Sequence, residues 1–252
     1  MDFKLKVKNL KKSFGNKVVL SSVDLEVDSG TITAIIGKSG AGKSVLLKLM
    51  AGILEKDGGK ISVDDNLNNP SINQEVRANN LQEIGLSYMF QNNALFDSLS
   101  AYENVALPLV ESKNQVPNKA MVDKKVKSLL KQLDLETVGA SYPGDLSGGM
   151  NKRIAFARAL ITEPKIILFD EPTTGLDPER KHTVFDMIQF YKKQFGFTAF
   201  LVSHDIPEVY QIVDSIAWLD EGKIKYFGEP DSIDSILDSS INNYLKTGRM
   251  ST

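Results

Sequence analysis

Residues 37–44 read GKSGAGKS, after the short β-branched run Thr31–Ile36 (TITAII) and at the start of the helical pattern Lys43–Ala51. The spacing Gly-x-x-x-x-Gly-Lys-Ser constrains the fold more than any other stretch of the chain. Gly37, Gly40 and Gly42 let the backbone turn its N–H groups inward around an anion, with Lys38, Ser39 and Ala41 completing the loop. The helix that follows aims the positive end of its dipole at the same point. Lys43 adds a point charge, and the Ser44 hydroxyl is a hard oxygen ligand suited to magnesium. Average residue frequencies put a chance match in a chain this long near ~1%. The strand before the loop and the helix after it are the setting a phosphate cradle requires. A short, β-branched strand without alternation suits a sheet covered on both faces.

The second constraint is acidic. Lys165–Asp177 reads KIILFDEPTTGLD, so an apolar strand ends in Asp170 and Glu171. Adjacent carboxylates at the end of a buried strand are costly unless they serve a ligand or a reaction. Beside a phosphate loop, Asp170 suits the magnesium shell and Glu171 suits a general base that orients an attacking water.

Period-two patterns at Phe3–Lys8 and Val23–Val27 predict half-buried antiparallel strands. Ile84–Met89, Ile166–Phe169, Thr198–Val202 and Ser215–Leu219 predict buried strands, and Glu221-Gly222 predicts a turn into Lys223–Phe227. Ser100 and Glu103 form a capping box for a helix expected to end near Pro108. Asn118–Leu135 carries the stripe Val122, Val126, Leu129, Leu130 and Leu133, and further helices are expected over Gly148–Ile161 and Pro178–Phe195. Between about residues 96 and 161 the helices follow one another without a strand, which predicts a helical subdomain inserted into an α/β core.

Composition narrows the partners. The 252 residues carry 30 basic and 32 acidic side chains, a net charge of −2, which argues against a dedicated nucleic-acid binder. The absence of cysteine excludes disulfides and thiolate chemistry. No run approaches the ~20 apolar residues that span a bilayer. The opening MDFKLKVKNLKKSFG lacks the continuous apolar stretch of a secretory signal. The expected place is the cytoplasm, with any membrane work done through a partner.

Taken together, these motifs resemble the ATP-binding cassette (ABC) ATPase family, and the rest of that family's signals follow in order. Phe14 matches the aromatic that stacks on adenine, and Gln91 the glutamine that bridges magnesium to the membrane partner. Leu146–Gly149 (LSGG) matches the signature, the GLD of Gly175–Asp177 the loop after the catalytic glutamate, and His204 the γ-phosphate-sensing histidine. The resemblance implies a P-loop NTPase (RecA-like) core with an antiparallel β subdomain over residues 1–95 and 162–230. A helical signature subdomain would occupy 96–161, and a tail 231–252. It also implies ATP and Mg²⁺ as cofactors, catalytic roles for Lys43, Glu171 and His204, and metal contacts from Ser44, Gln91 and Asp170. In this family Ser147, Gly148 and Gly149 act in trans, on the nucleotide of a second copy.

Within the family, NNALFDSLSAYENVALPL (Asn92–Leu109) and the signature's Met150 are similar to the ATPases of Mla and mammalian-cell-entry-type phospholipid transporters. Asn93 departs from that pattern, standing where glycine is common. The similarity implies a homodimer on the cytoplasmic face of the inner membrane, beneath an integral-membrane permease. An exterior substrate-binding ring and a STAS-type regulatory subunit accompany some such systems. Leu95 and Phe96 are the residues expected to face the permease. Lipoprotein-release, small-solute and soluble ABC ATPases are the alternatives.

Overall fold

In this computed structural model the described residues are 3–65, 85–90, 93–111, 118–206 and 208–235. The chain opens with a hairpin of two long strands, β1 (Phe3–Phe14) and β2 (Lys17–Asp28), whose ends pair Phe14 with Lys17. Both run further than their apolar alternation predicts, because charged positions such as Lys4, Lys6 and Lys8 lie opposite Asp28, Glu26 and Asp64 on the outer face. β4 (Gly58–Asp65) joins β1 on its other side, giving the order β2-β1-β4. Its polar sequence, GGKISVDD, shows little apolar alternation, since among its described side chains only Ile61 and Val63 enter the core.

The second sheet has six strands in the order β5-β6-β7-β3-β8-β9. These are β3 (Ile32–Ile36), β5 (Leu86–Met89), β6 (Ile166–Asp170), β7 (Thr198–Val202), β8 (Ser215–Asp220) and β9 (Lys223–Gly228). All neighbours are parallel except β8 and β9, which form a hairpin turned by Glu221 and Gly222, both at positive φ. β3, β6 and β7 are buried throughout.

Their side chains alternate between two cores. Ile35, Leu168, Phe200 and Leu219 pack with α1 (Lys43–Met50) and the three-stranded sheet. Ala34, Ile36, Phe169, Leu201 and Trp218 pack with α2 (Ala101–Val110), α3 (Lys119–Gln132), α4 (Gly148–Leu160) and α5 (Pro178–Phe195). Two-face burial is the physical reason these strands read as continuous apolar runs. The mixed α/β architecture is that of a P-loop NTPase with an antiparallel sheet and helical parts.

Helix ends follow local chemistry. The Ser100–Glu103 capping box closes in both directions, Asn118 caps α3, Ser147 caps α4, and Asp177 caps α5 ahead of Pro178. α2 does not stop at Pro108 but continues to Val110. The proline falls in the last turn, where it removes only one backbone donor, and buried Ala101, Val105 and Ala106 hold the helix to the core.

Candidate functional site

The carboxyl ends of β3, β6 and β7 meet at one edge of the six-stranded sheet, where parallel α/β folds place their ligands. β3 delivers the loop 37–42. Gly37 packs so tightly against β8 that a Cβ there would lie 2.2 Å from the Leu219 carbonyl oxygen. Gly42 caps α1 at φ 101°, and a Cβ on it would lie 2.9 Å from Val19 of β2. Both glycines are demanded by this chain's own packing. The second contact sets β2 against the loop, and half-exposed Phe14 lies at the turn end of the same β1–β2 hairpin, paired with Lys17. The Lys12 ammonium lies 5.3 Å from the Phe14 ring centroid and is anchored by Asp57 at 2.8 Å.

Lys43 is buried, and its Nζ donates to the carbonyls of Gly37 at 2.9 Å and Lys38 at 3.1 Å. Burial pushes its pKa below the usual lysine value, while the charges of Glu171 and Asp170 pull it back up. The Ser44 hydroxyl donates to Oδ1 of buried Asp170 at 2.7 Å, joining the loop to the end of β6. A hydroxyl and a carboxylate at this spacing are hard oxygen donors of the kind magnesium takes alongside phosphate oxygens, so these residues fit that ion.

Glu171, next on β6's exit, adopts φ 50°, a left-handed conformation that a non-glycine residue holds only when its surroundings force it. Its Oε2 accepts from the Thr174 hydroxyl at 2.9 Å, and its Oε1 lies 3.1 Å from His204 Nε2. His204 sits just past β7, so two neighbouring strand ends bring together the carboxylate and the imidazole. Asp205 accepts from Thr173 and from Lys181, tying the loop after Glu171 to α5.

Of the expected site residues, the structure therefore gathers Lys43, Ser44, Asp170, Glu171 and His204, with Lys38, Ser39, Gly40 and Ala41 in the loop, while Phe14 lies on the hairpin whose second strand packs on that loop. Gln91 lies outside the described residues. Ser147, Gly148 and Gly149 begin α4 on an exposed surface. The Ser147 hydroxyl accepts only from the Met150 amide at 3.2 Å among the hydrogen bonds of the described residues. Met150 is half-buried and packs on its own chain's core. Leu95 likewise packs inward, whereas Phe96 is exposed.

Three residues escaped the sequence reading. Buried Lys152 of α4 donates to the Pro172 carbonyl at 2.6 Å, one residue past Glu171, and burial lowers its pKa. Arg158 of the same helix donates to the Asn93 and Ala94 carbonyls, each at 2.7 Å, holding a turn in which both residues have positive φ. Asn93, at φ 59°, is the residue type that best replaces glycine there. The fully buried Asn104 side chain accepts from the Phe96 amide and donates to the carbonyls of Phe96, Leu99 and Ser100. Each is a polar residue on an otherwise ordinary helical stripe. The only sequence signal was a buried position occupied by a group that needs partners.

The loop, the acidic strand end and the sheet order define a P-loop NTPase-type site. Residues 20–174 match the ABC transporter family, and the chain belongs to that family. Among curated relatives, the sulfate/thiosulfate import ATP-binding protein of Neisseria meningitidis (serogroup A) is 37% identical over 228 residues, covering 90% of this chain and 62% of the relative. The methionine import ATP-binding protein of Clostridium tetani is 38% identical over 225 residues, covering 89% of this chain and 69% of the relative. The chain thus spans less than two thirds of the length of several such relatives, including the Fe(3+) ions import protein of Vibrio cholerae at 62%. A nucleotide-free ATP-binding cassette from an ABC transporter superimposes with a TM-score of 0.80 at 26% identity, covering 97% of this chain and 98% of that one. A dimeric post-hydrolysis cassette bound to ADP and Pi gives 0.72 at 27% identity, covering 89% and 98%.

Proposed function

We propose that this chain binds ATP with Mg²⁺, hydrolyses it as a dimer of two identical copies, and thereby drives an integral-membrane permease that moves phospholipid. One observation carries the dimer. Gly148 and Gly149 open α4, yet neither has positive φ and a Cβ on either would meet nothing within 4 Å. Glycine costs a helix about 1 kcal/mol relative to alanine. Nothing in the packing of the described residues requires it here. An exposed helix start with its backbone bared is a surface for close approach by an anion, and the triphosphate of a second copy fits it. The cassette dimer bound to ADP and Pi is a relative with that association.

In this reading the loop amides and Lys43 hold the β- and γ-phosphates, and Phe14 offers its exposed ring to adenine. Magnesium, when bound by Ser44 and Asp170, neutralises charge developing on the phosphates. Glu171 accepts the proton of the attacking water, and His204, hydrogen-bonded to Glu171 Oε1, contacts the γ-phosphate. Thr174 and His204 fix the two oxygens of Glu171, so the base is oriented before substrate arrives. Expected behaviour is an ATP-dependent dimer that light scattering detects; a strictly monomeric chain at saturating ATP and Mg²⁺ would refute the association.

No helix among the described residues is long and apolar enough to cross a membrane. The permease is a separate chain in this proposal, reached at the cytoplasmic face through the surface around Phe96. Phospholipid as cargo is supported by the Asn92–Leu109 stretch and by Met150, both similar to phospholipid-transport ATPases. The curated relatives favour a second reading, import of a small solute, since their names specify sulfate/thiosulfate, methionine and Fe(3+). Gentle purification from membranes with native partners, followed by mass spectrometry of proteins and lipid, separates the two. A co-purifying permease with bound phospholipid supports the first, and a solute-binding partner without lipid supports the second.

A further inference from the structure

Beyond the site's expected ligands, one further side chain, on β5, reaches the Asp170 carboxylate. Tyr88 lies on β5, the edge strand of the six-stranded sheet, in parallel register with Leu168 of β6. Leu168 and Asp170 share a face of β6, so the Tyr88 side chain points to the same face and reaches one step along it. Its hydroxyl donates to Asp170 Oδ2 at 2.6 Å, while Ser44 donates to Oδ1 at 2.7 Å. The carboxylate is clamped from both sides, by a phenol from one strand and a hydroxyl from the phosphate loop.

We infer that Tyr88 is a positioning residue for the divalent cation: its hydroxyl fixes the rotation of the Asp170 carboxylate and so tunes metal affinity without touching substrate. This rests on the proposed ATP and Mg²⁺ reading and deepens it. With a metal bound, the Ser44 oxygen would face the ion while its hydroxyl goes on donating to Asp170 Oδ1, an arrangement that would tolerate little rotation of the carboxylate. Tyr88 supplies the restraint that Ser44 cannot. Each carboxylate oxygen has two lone pairs, so one hydroxyl donor on each would leave a second pair for a metal or its water. Burial, reinforced by the bond to Asp170, pushes the Tyr88 hydroxyl's pKa far above the usual tyrosine value. Phe90 packs on the same ring, with centroids 4.6 Å apart, and holds it in place from the solvent side. Groups that orient metal ligands in this way typically change metal affinity when removed.

The test uses the full chain, with Mn²⁺ as the probe metal and a non-hydrolysable ATP analogue. Tyr88→Phe keeps the ring and its contact with Phe90 and removes only the hydroxyl. Mn²⁺ affinity in the ternary complex, read by electron paramagnetic resonance, is expected to fall roughly tenfold. Affinity for the analogue in EDTA should stay within about twofold, because the phenol contacts the carboxylate and not the nucleotide. Hydrolysis lost at low Mg²⁺ should return as Mg²⁺ is raised. Tyr88→Met, which packs differently but also lacks the hydroxyl, should show the same metal-specific defect. Wild-type Mn²⁺ affinity in Tyr88→Phe, or an equal loss of nucleotide affinity with and without metal, would overturn the inference. A wild-type chain that fails to bind Mn²⁺ with nucleotide would overturn the ATP reading as well, so the two failures are told apart.

Discussion

Two glycine-rich helix starts lie in this chain, and they differ in what needs the glycine. At the start of α1, a side chain on Gly37 or Gly42 would collide with Leu219 or Val19, so the chain itself demands glycine. Around it converge Lys43, Ser44, Asp170, Tyr88, Glu171 and His204, most of them buried or half-buried and already hydrogen-bonded. At the start of α4, Gly148 and Gly149 face open space and Ser147 is bonded only to its own helix among the described residues. The first is a finished corner. The second has the same backbone chemistry and, among the described residues, none of the surroundings, which is the contrast the proposed dimer would explain.

Glu171→Gln probes the finished corner most severely. It keeps the shape and removes the base, so phosphate release should fall about 10²–10⁴-fold. The variant should also accumulate as a dimer with ATP, measured by light scattering. A monomer under those conditions would break the comparison at its root. Lys43→Met is the next largest. It removes the one buried cation of the loop and should weaken nucleotide binding by about ten- to a hundred-fold, read by fluorescent-nucleotide titration of the single chain.

Ser147→Asp sharpens the contrast. Aspartate still caps α4, so the melting temperature should hold, but its charge opposes a triphosphate. Nucleotide affinity of the single chain should remain within about twofold of wild type, while the ATP-dependent dimer is lost and hydrolysis falls about a hundredfold. Equal loss of monomer binding would show that the α4 corner serves its own chain after all. Smallest is Met150→Gln. Met150 packs on its own core, so the substitution half-buries an amide at a cost of about 1 kcal/mol and leaves hydrolysis within a few-fold. A collapse of hydrolysis with unchanged stability would assign Met150 to the interface instead.

Much of the finished corner was legible. The spacing of Gly37, Gly42, Lys43 and Ser44, the paired Asp170 and Glu171, and His204 after a strand each carry their chemistry in neighbouring residues. So do the buried strand over Thr198–Val202 and the helix over Pro178–Phe195, bounded by Pro178 and Gly196. Harder to read were elements whose stability comes from elsewhere. β4 shows little apolar alternation because it needs only the edge of β1, and α2 outlasts Pro108 because its buried face holds it. Tyr88, Lys152 and Arg158 gave no local sign, since their partners lie 20 or more residues away; Asn104 bonds residues only four to eight positions before it, but its burial against the core is set by the fold.

By itself, the order of residues determined everything that depends on a few consecutive peptide units: which glycines can turn inward, which side chains cap helices, which strands are covered twice. It also assigned the family, because those local devices recur in a fixed order. Only the tertiary structure decided which of them meet. Ser44 and Asp170 are 126 residues apart and Tyr88 and Asp170 are 82 apart, yet one carboxylate receives both hydroxyls. Hydrogen bonds form within about 3 Å and carry no memory of chain separation. The packing of β5, β6 and α1 around Asp170 alone settles that the clamp exists, just as the open space around Gly148 and Gly149 sets α4 apart.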